Sequence, residues 1–180
     1  MSSSVRYQCF PQTEPPPAFV LQVVDVFRNH EAGISTEKLA KGLTSDQVLL
    51  RLAPDLASLG FEVEKSKKAA DRIHRPVFFG ENGEPTLEYQ VDGYHIGWRC
   101  GLEVEAGRAW MGNAVYRDLI QAMVMVEVDW LVLAVPNAYR YKSDGKPVIS
   151  ADFHNAQRVA AALYAHDRLR MPFKLTLIGY

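Results

Sequence analysis

Three acidic residues in the segment EYQVDGYHIGWRCGLEVEAGR, residues 88–108, have the type and spacing to do chemistry: Asp92, Glu103 and Glu105. Successive side chains of a β-strand point to opposite faces, so Glu103 and Glu105 share one face of the strand GLEVE, opposite its apolar residues. The same alternation places Asp92 on the polar face of TLEYQVD. If these two strands pair, the three carboxylates gather on one side of a sheet whose other side is apolar.

Carboxylates gathered in this way repel one another. Two of them about 5 Å apart repel by about 3 kcal/mol at an effective dielectric constant of about 20, and like charges facing each other destabilise a strand pair. A hard divalent cation such as Mg²⁺ would compensate, because it binds carboxylate oxygens together with water and leaves room for a substrate phosphate. The other interpretation is the solvated face of an antiparallel hairpin, where Glu-x-Glu is ordinary. The pattern alone leaves both interpretations open.

The composition indicates one compact domain. The 180 residues carry a formal net charge of −1 and are 48% hydrophobic, which is typical of a globular chain with a sizeable core. Cys9 and Cys100 are far apart and belong to no Cys/His cluster, so we expect reduced thiols and neither a disulfide framework nor a zinc site. The N-terminal residues lack the features of a signal peptide, and no apolar run is long enough to span a bilayer. We therefore expect a cytoplasmic protein with no membrane association.

Two segments concentrate positive charge despite the near-neutral total. KSKKAADRIHR contains Lys67 and Lys68, and NAYRYK, residues 137–142, combines Arg140 with two tyrosines. Segments of this kind can hold the phosphate backbone of a nucleic acid or stack on its bases. The predicted nucleic-acid contacts in these segments are therefore Lys67, Lys68 and Arg140. Solvated loops of the same composition are common, and the charge pattern alone leaves that alternative open.

The first third of the chain is expected to be helical after an irregular, Pro-rich lead at residues 1–17. Apolar residues recur at helical spacing over residues 18–30, which indicates an amphipathic helix. Ser45 is the expected N-cap of a second long helix, in which Pro54 should produce a kink or a new first turn. Gly60 should end this helix. Residues 18–60 are thus expected to form the N-terminal helices.

From residue 61 onward the apolar pattern alternates, which indicates strands. The expected elements, in order, are a strand at 61–64, two strands flanking an Asn82-Gly83 hairpin turn, a strand at GLEVEAG, a helix from Asn113 to about residue 127, an apolar strand at 130–136, a helix capped by Ser150, and a last strand at FKLTLIG. This order predicts an α/β fold with a central mixed β-sheet flanked by helices on both sides.

The order of these elements and the spacing of the acidic residues resemble the PD-(D/E)XK nuclease superfamily. In that family a core of helix, three strands, helix and strand carries an Asp near the end of one strand and an acid-x-Lys pair on the next. Asp92 matches the first acid, Glu103 matches the second, and Glu105 stands where Lys is usual. This Glu-x-Glu variant is similar to the branch typified by the BamHI and BglII restriction endonucleases. The resemblance covers about residues 46–136 and departs from the family at Val91, where Pro is usual.

The resemblance implies a single restriction endonuclease-like domain over residues 1–180, with its nuclease core at 61–180. It implies a DNA endonuclease of the restriction, repair or recombination type that depends on Mg²⁺, or Mn²⁺ as a substitute, and acts as a homodimer. The metal ligands implied by the resemblance are Asp92, Glu103 and the carbonyl of Val104. The implied role of Glu105 is that of the base or of a further ligand.

Phosphate positioning needs cations outside the acidic group, and Arg108 and Arg117 are the candidates that follow it in sequence. Arg117 could equally pair with a surface acid such as Asp118. The chain contains no Walker loop, H-E-x-x-H, G-x-S-x-G or dinucleotide fingerprint, which removes the functions that those motifs mark. Two alternatives to the nuclease remain: a nucleotidyltransferase, and a non-catalytic module on the same fold that binds nucleic acid or protein.

Overall fold

The computed structural model describes residues 3–38, 42–107 and 109–180, and these residues form an α/β fold with a mixed central sheet. In chain order the strands are β1 Arg6–Phe10, β2 Glu62–Val63, β3 Ile73–Phe79, β4 Pro85–Val91, β5 Gly93–His95, β6 Cys100–Val104, β7 Trp130–Val135, β8 Tyr139–Ser143, β9 Lys146–Ser150 and β10 Lys174–Gly179. The helices are α1 Ala18–Asn29, α2 Glu31–Ile34, α3 Ser45–Ser58, α4 Ala114–Val124 and α5 Asp152–Ala165.

Six strands make the central sheet in the order β1-β10-β7-β6-β5-β2. The three middle strands β10, β7 and β6 are parallel, and α4 and α5 make the two crossovers between them. The outer pairs, β1 with β10, β6 with β5 and β5 with β2, are antiparallel. Two hairpins, β3-β4 and β8-β9, stand outside this sheet.

Helices cover both faces of the sheet, as the sequence predicts. Along β7, Val132 and Ala134 pack in the cluster that contains the buried residues of α1 and α3. Leu131 and Leu133 point the other way, into the cluster formed with α4 and α5. A strand buried on both faces reads as a continuous apolar run, which is why WLVLAVP identifies the centre of the sheet. No helix within the described residues is long and apolar enough to cross a membrane.

Two predictions about irregular segments are wrong. The lead at residues 1–17 contains β1, which pairs antiparallel with β10 along the edge of the sheet. The segment NAYRYK, expected to be a loop, supplies β8, which pairs with β9 in an exposed two-stranded arm. Both strands contain polar residues at half-exposed positions and are defined by their partners, so alternation within them is a weak signal.

The start of α3 also differs from expectation. Thr44, one residue before Ser45, is the N-cap, and it forms a capping box with Gln47. The Ser45 hydroxyl instead accepts a hydrogen bond from the backbone N–H of Ala106 at 3.0 Å, which ties the start of the helix to the turn after β6. Pro54 lies inside α3 and does not end it. Because Pro54 is exposed, water can satisfy the carbonyl that its missing N–H leaves unpaired.

The expected pairing of TLEYQVD with GLEVE is wrong. β4 pairs with β3 in a separate hairpin, and the neighbour of β6 is the short strand β5. Asp92 lies at the junction where the chain leaves β4 and enters the central sheet. Gly93 makes this junction possible, because a Cβ there would lie 3.3 Å from both the Glu62 carbonyl oxygen and the Leu102 side chain. The chain therefore passes from the β3-β4 hairpin into the central sheet at Asp92, the first predicted acid.

Candidate active site

A cleft of about 440 Å³ lies where β4, β6 and α4 meet. Its charged lining residues are Glu64, Glu88, Asp92, Glu103, Arg117 and Asp118. Of these described lining residues, five are acidic and one is basic. The cleft is therefore strongly negative when its carboxyls are ionised, although the net charge of the chain is only −1.

Asp92 is held at the end of β4 by the neighbouring strand. Its Oδ2 accepts a hydrogen bond from the backbone N–H of Val104 at 2.8 Å. The Asp92 carbonyl accepts from the N–H of Glu64 at 2.8 Å, which brings β2 against the same junction. The pKa of Asp92 is raised to about 7 by burial and, to a smaller extent, by the charge of Glu105, while the Val104 N–H acts in the opposite direction.

Glu103 lies in the middle of the sheet with only 8% of its surface exposed. β6 is parallel to β7, and Glu103 is level with Leu133, so its side chain lies on the side of the sheet covered by α4. Burial raises the pKa of Glu103 well above its usual range, and the nearby charges of Asp92 and Asp118 raise it further. An ionisable group at this position is costly, which makes it a candidate functional group.

Glu105 follows β6 and is bound by α4. Its carboxylate Oε1 accepts from Nη2 of Arg117 at 2.7 Å, and its backbone N–H donates to the Ala134 carbonyl at 2.8 Å. The hydroxyl of Tyr180, a fully buried side chain, donates to the Glu105 carbonyl at 2.7 Å. These contacts fix the backbone of Glu105 on the sheet and direct its carboxylate toward Arg117.

Asp118 is an acid of this cleft that the sequence analysis missed as a site residue. It accepts from Nε of Arg117 at 2.9 Å through Oδ1, and only 1% of its side chain is exposed. Within the described chain, its Oδ2 is buried and has no hydrogen-bond partner. The pKa of Asp118 is raised to about 7, mainly by burial and also by the charge of Glu105. A signal was present, because Asp118 stands three residues after Val115 and one before Leu119, inside the buried stripe of α4.

Two of the other predicted nucleic-acid contacts lie on a second, larger cleft of about 780 Å³. Lys67 and Arg140 line this cleft together with Glu105, which is bound through Arg117 to the acidic cleft. Lys67 also pairs with Asp46 at 3.0 Å, and this pair is exposed. Arg140 donates to the Thr36 carbonyl at the base of the β8-β9 arm. The structure thus places two of the predicted cations beside the acidic cleft.

The remaining predicted residues have different positions. Lys68 is exposed in the loop after β2, and it does not line either cleft. Arg108 lies outside the described residues. Val104 contributes its backbone N–H to Asp92 and buries its side chain in the core beneath α3. Arg117, predicted to hold phosphate or to pair with an acid, pairs with both Glu105 and Asp118.

The chemistry of the cleft fits a hard divalent cation. Carboxylate oxygens are the ligands that Mg²⁺ prefers. Half-buried Asp92 and buried Glu103 and Asp118 supply them, and Arg117 is the one positive charge among the described lining residues. The Oδ2 of Asp118 is buried and has no hydrogen-bond partner among the described residues. Over the described ranges, no three His, Cys, Asp or Glu side chains are already close enough to form a complete ligand set. Glu105 and Asp118 are instead drawn to Arg117, and Asp92 to the Val104 N–H.

His95, which is near the acids in sequence, is engaged elsewhere. Its Nδ1 accepts from the backbone N–H of Trp98 at 3.1 Å, and its Nε2 lies 3.1 Å from the Leu59 carbonyl. Its ring stacks on Trp98 with a centroid distance of 3.7 Å. Both ring nitrogens therefore hold together α3 and the β5-β6 connection, and neither lines the acidic cleft.

Comparison with known proteins adds no relative. No protein-family model matches the chain. No curated protein is similar enough to it in sequence to be recognised as related.

Proposed function

We propose that the protein is a Mg²⁺-dependent DNA endonuclease that hydrolyses phosphodiester bonds, of the restriction, repair or recombination type. The observation that carries the proposal is that half-buried Asp92 and buried Glu103 lie in one cleft, each with a raised pKa. Mutually repelling buried carboxyls reduce stability, and a site that binds a cation is a physical reason to keep them.

The arrangement of elements also supports a restriction endonuclease-like core. After α3, the strands β2, β5 and β6 are antiparallel neighbours, α4 follows, and β7 returns parallel to β6. With the β3-β4 hairpin left aside, this order is similar to the helix, three strands, helix and strand that the sequence resemblance implies. Asp92 lies between β4 and β5 and Glu103 lies on β6, so the two acids are on consecutive segments of the sheet.

In the proposed mechanism Asp92 and Glu103 hold Mg²⁺, with the carbonyl of Val104 as a further oxygen. Bound Mg²⁺ lowers the pKa of a water molecule and neutralises charge that develops on the leaving oxygen. Glu105 accepts the proton from the attacking water, since it lies at the boundary of the two clefts and its carboxylate is partly exposed. Arg117, released from Glu105, orients the scissile phosphate.

The larger cleft is the proposed path of the DNA backbone. Lys67 and Arg140 line it, and Glu105 connects it to the acids. The β8-β9 arm adds Lys142 and the stacked rings of Tyr139 and Tyr141, whose centroids are 5.7 Å apart. Positive charge beside the acidic cleft would hold phosphates on either side of the scissile bond. Cutting both strands requires two such sites, so we propose a homodimer.

The experiment that tests this function uses plasmid, linear and single-stranded DNA with Mg²⁺, Mn²⁺ or chelator. Wild type should cleave with either metal and not with chelator, and Glu103→Gln should abolish cleavage. The matched control is Glu62→Gln, which makes the same change at an exposed residue. Cleavage by Glu103→Gln equal to that of wild type would indicate a contaminating nuclease. Inactivity of wild type on all three substrates with both metals would overturn the proposal.

A non-catalytic interaction module is the second candidate, and one observation favours it. Arg117 already supplies an internal counter-charge to Glu105 and Asp118. If that pairing is the final state of the cleft, Mg²⁺ and Mn²⁺ will leave the melting temperature unchanged. A cation that binds the folded state raises it by mass action. A thermal shift with and without metal therefore separates the two candidates.

A further inference from the structure

Asp118 has one carboxylate oxygen that is hydrogen-bonded and one that is not. Its side chain is 1% exposed, so both oxygens are largely removed from solvent. Oδ1 accepts from Arg117 Nε at 2.9 Å and is 2.8 Å from Arg117 Nη2. Oδ2 is buried and has no partner among the described residues. A buried acceptor without a hydrogen bond costs about 1–3 kcal/mol, and more when it is charged.

The pair with Arg117 does not account for the carboxylate. An asparagine at position 118 would offer one carbonyl oxygen to the Arg117 guanidinium without burying a second anionic oxygen. Burial of a charged oxygen beside other carboxylates has a physical reason when something positive binds it. The stripe of α4 is otherwise apolar at this level, with Val115, Leu119 and Ala122 buried against the sheet.

The position of Asp118 determines what could bind. Asp118 lines the same cleft as Asp92 and Glu103, which reach it from the sheet while Asp118 reaches it from α4. The ligand set would thus come from three places: the junction between β4 and β5, strand β6 and helix α4. The motif on which the sequence resemblance depends contains no residue of α4 among its acids.

We propose that Asp118 is a third carboxylate ligand of the divalent cation in this cleft, and that the cation binds its unpartnered Oδ2. The inference rests on the proposed function, because it concerns the same cation. Arg117 holds Oδ1 in the cation-free protein and leaves Oδ2 for the cation that Asp92 and Glu103 also bind. Cation binding satisfies the buried oxygen of Asp118 that the described residues leave open.

The test measures Mn²⁺ binding by calorimetry on wild type, Asp118→Asn and Asp25→Asn. Asp118→Asn keeps the shape of the side chain and should bind Mn²⁺ at least about ten-fold more weakly, the lower limit for loss of a group that supports a metal site. Asp25→Asn is the matched control, an exposed carboxylate on α1 that pairs with Arg28. It should leave the affinity unchanged. Equal affinity of Asp118→Asn and wild type would overturn the proposal.

A second readout separates ligation from a general effect of charge. Eu³⁺, a hard cation that accepts oxygen ligands, is bound in place of Mn²⁺, and its luminescence lifetimes in H₂O and D₂O give the number of waters on the ion. If Asp118 is a ligand, Asp118→Asn increases this number, because water fills the vacated position. If Asp118 acts only through its charge, the number stays the same, and the proposal fails.

Arg117→Met provides a variant in which Asp118 itself is unchanged, in case Asp118→Asn does not fold. Removing the competing guanidinium frees Oδ1 as well as Oδ2, so Mn²⁺ should bind several-fold more tightly. Weaker binding would count against Asp118 as a ligand. Failure of the proposed function is distinguishable: wild type would then bind no Mn²⁺ at all, which overturns both proposals. Wild-type binding that is unchanged in Asp118→Asn overturns this one alone.

Discussion

Arg117 and Glu105 form an ion pair of 2.7 Å that joins helix α4 to the end of strand β6. The same guanidinium binds Asp118, so one exposed cation neutralises two acids beside a cleft that is otherwise negative. The cleft thus has an internal counter-ion in the absence of metal. The stability of the protein, the dependence of that stability on pH, and the affinity of the cleft for divalent cations should all depend on this pair.

Replacement of Arg117 by Met should lower the free energy of unfolding of the metal-free protein at neutral pH. Asp118 would remain buried without a counter-charge, which costs several kcal/mol in a fully buried pair. Because 57% of the Arg117 side chain is exposed, we expect about 1–2 kcal/mol. Urea unfolding measures the loss, with Arg28→Met on α1 as the control at an exposed ion pair. A loss that is equally large at about pH 4, well below the raised pKa of Asp118, would show that packing is responsible.

Stability of the metal-free protein should fall as pH rises from about 4 to about 7. The folded-state pKa values of Asp92 and Asp118 are both raised to about 7. Over this range the folded state binds more protons than the unfolded state, so the slope of stability against pH is negative. Each pKa unit corresponds to about 1.4 kcal/mol, and both pKa values rise by about 3 units, so we expect a total loss of several kcal/mol.

Urea unfolding at a series of pH values, with and without Mg²⁺, measures this pH dependence. Mg²⁺ should reduce the loss above about pH 7, because the cation binds the ionised carboxylates. Asp92→Asn should flatten the curve in metal-free buffer, since it removes one of the groups whose pKa is raised to about 7. A stability that rises from about pH 4 to about pH 7 in metal-free protein would contradict the raised pKa values.

Tyr180→Phe should destabilise the protein and weaken the site together. The variant removes the 2.7 Å hydrogen bond to the Glu105 carbonyl and leaves that buried acceptor unpaired, at a cost of about 1–3 kcal/mol. Tyr164→Phe is the matched control, because its hydroxyl donates to the Phe173 carbonyl at the same distance, away from the cleft. Both variants should lose stability in urea, and only Tyr180→Phe should lower Mn²⁺ affinity. If Tyr180→Phe bound Mn²⁺ with the same affinity as wild type, Tyr180 would have no role in the site.

Alanine substitution of Arg140 and Lys142 should weaken DNA binding without abolishing metal binding. Removal of each cation that binds a phosphate should reduce the slope of log affinity against log salt by about 0.9 for double-stranded DNA. Arg158→Ala is the control, since it removes an exposed cation from α5, which belongs to neither cleft. Fluorescence anisotropy with labelled DNA at several salt concentrations measures the slope. An unchanged slope in the double variant would remove the β8-β9 arm from the proposed DNA path.

The parts of the fold that the sequence predicts are those whose pattern reflects burial on a whole face. β7 is an unbroken apolar run because helices cover both its sides, and α4 and α5 have apolar stripes that pack beneath it. β1 and the β8-β9 arm escaped prediction because their partners, and not their own composition, define them. The bend at Asp92 escaped for a related reason. Alternation continues from β4 toward β5, and the Asp92-Gly93 dipeptide, which marks a turn, was the available local signal.

Some residues of the candidate site could likewise be predicted from the sequence, and others could not. The spacing of acids along a strand can be read from the sequence, which is why Asp92, Glu103 and Glu105 were predicted. The residues that pack against them from other elements cannot be read in this way, and Asp118 reaches the cleft from a helix fifteen residues after Glu103. Charge at a core position of an amphipathic helix was the available signal. The pairing of Arg117 with two acids at once required coordinates.

The contacts of His95 have a consequence for substitution at this position. Nδ1 accepts the Trp98 N–H, and Nε2 lies 3.1 Å from the Leu59 carbonyl, so both ring nitrogens are engaged within the protein. Loss of the imidazole would remove both contacts together with the stacking on Trp98. We therefore expect His95 to be a structural support that joins the end of α3 to the connection between β5 and β6.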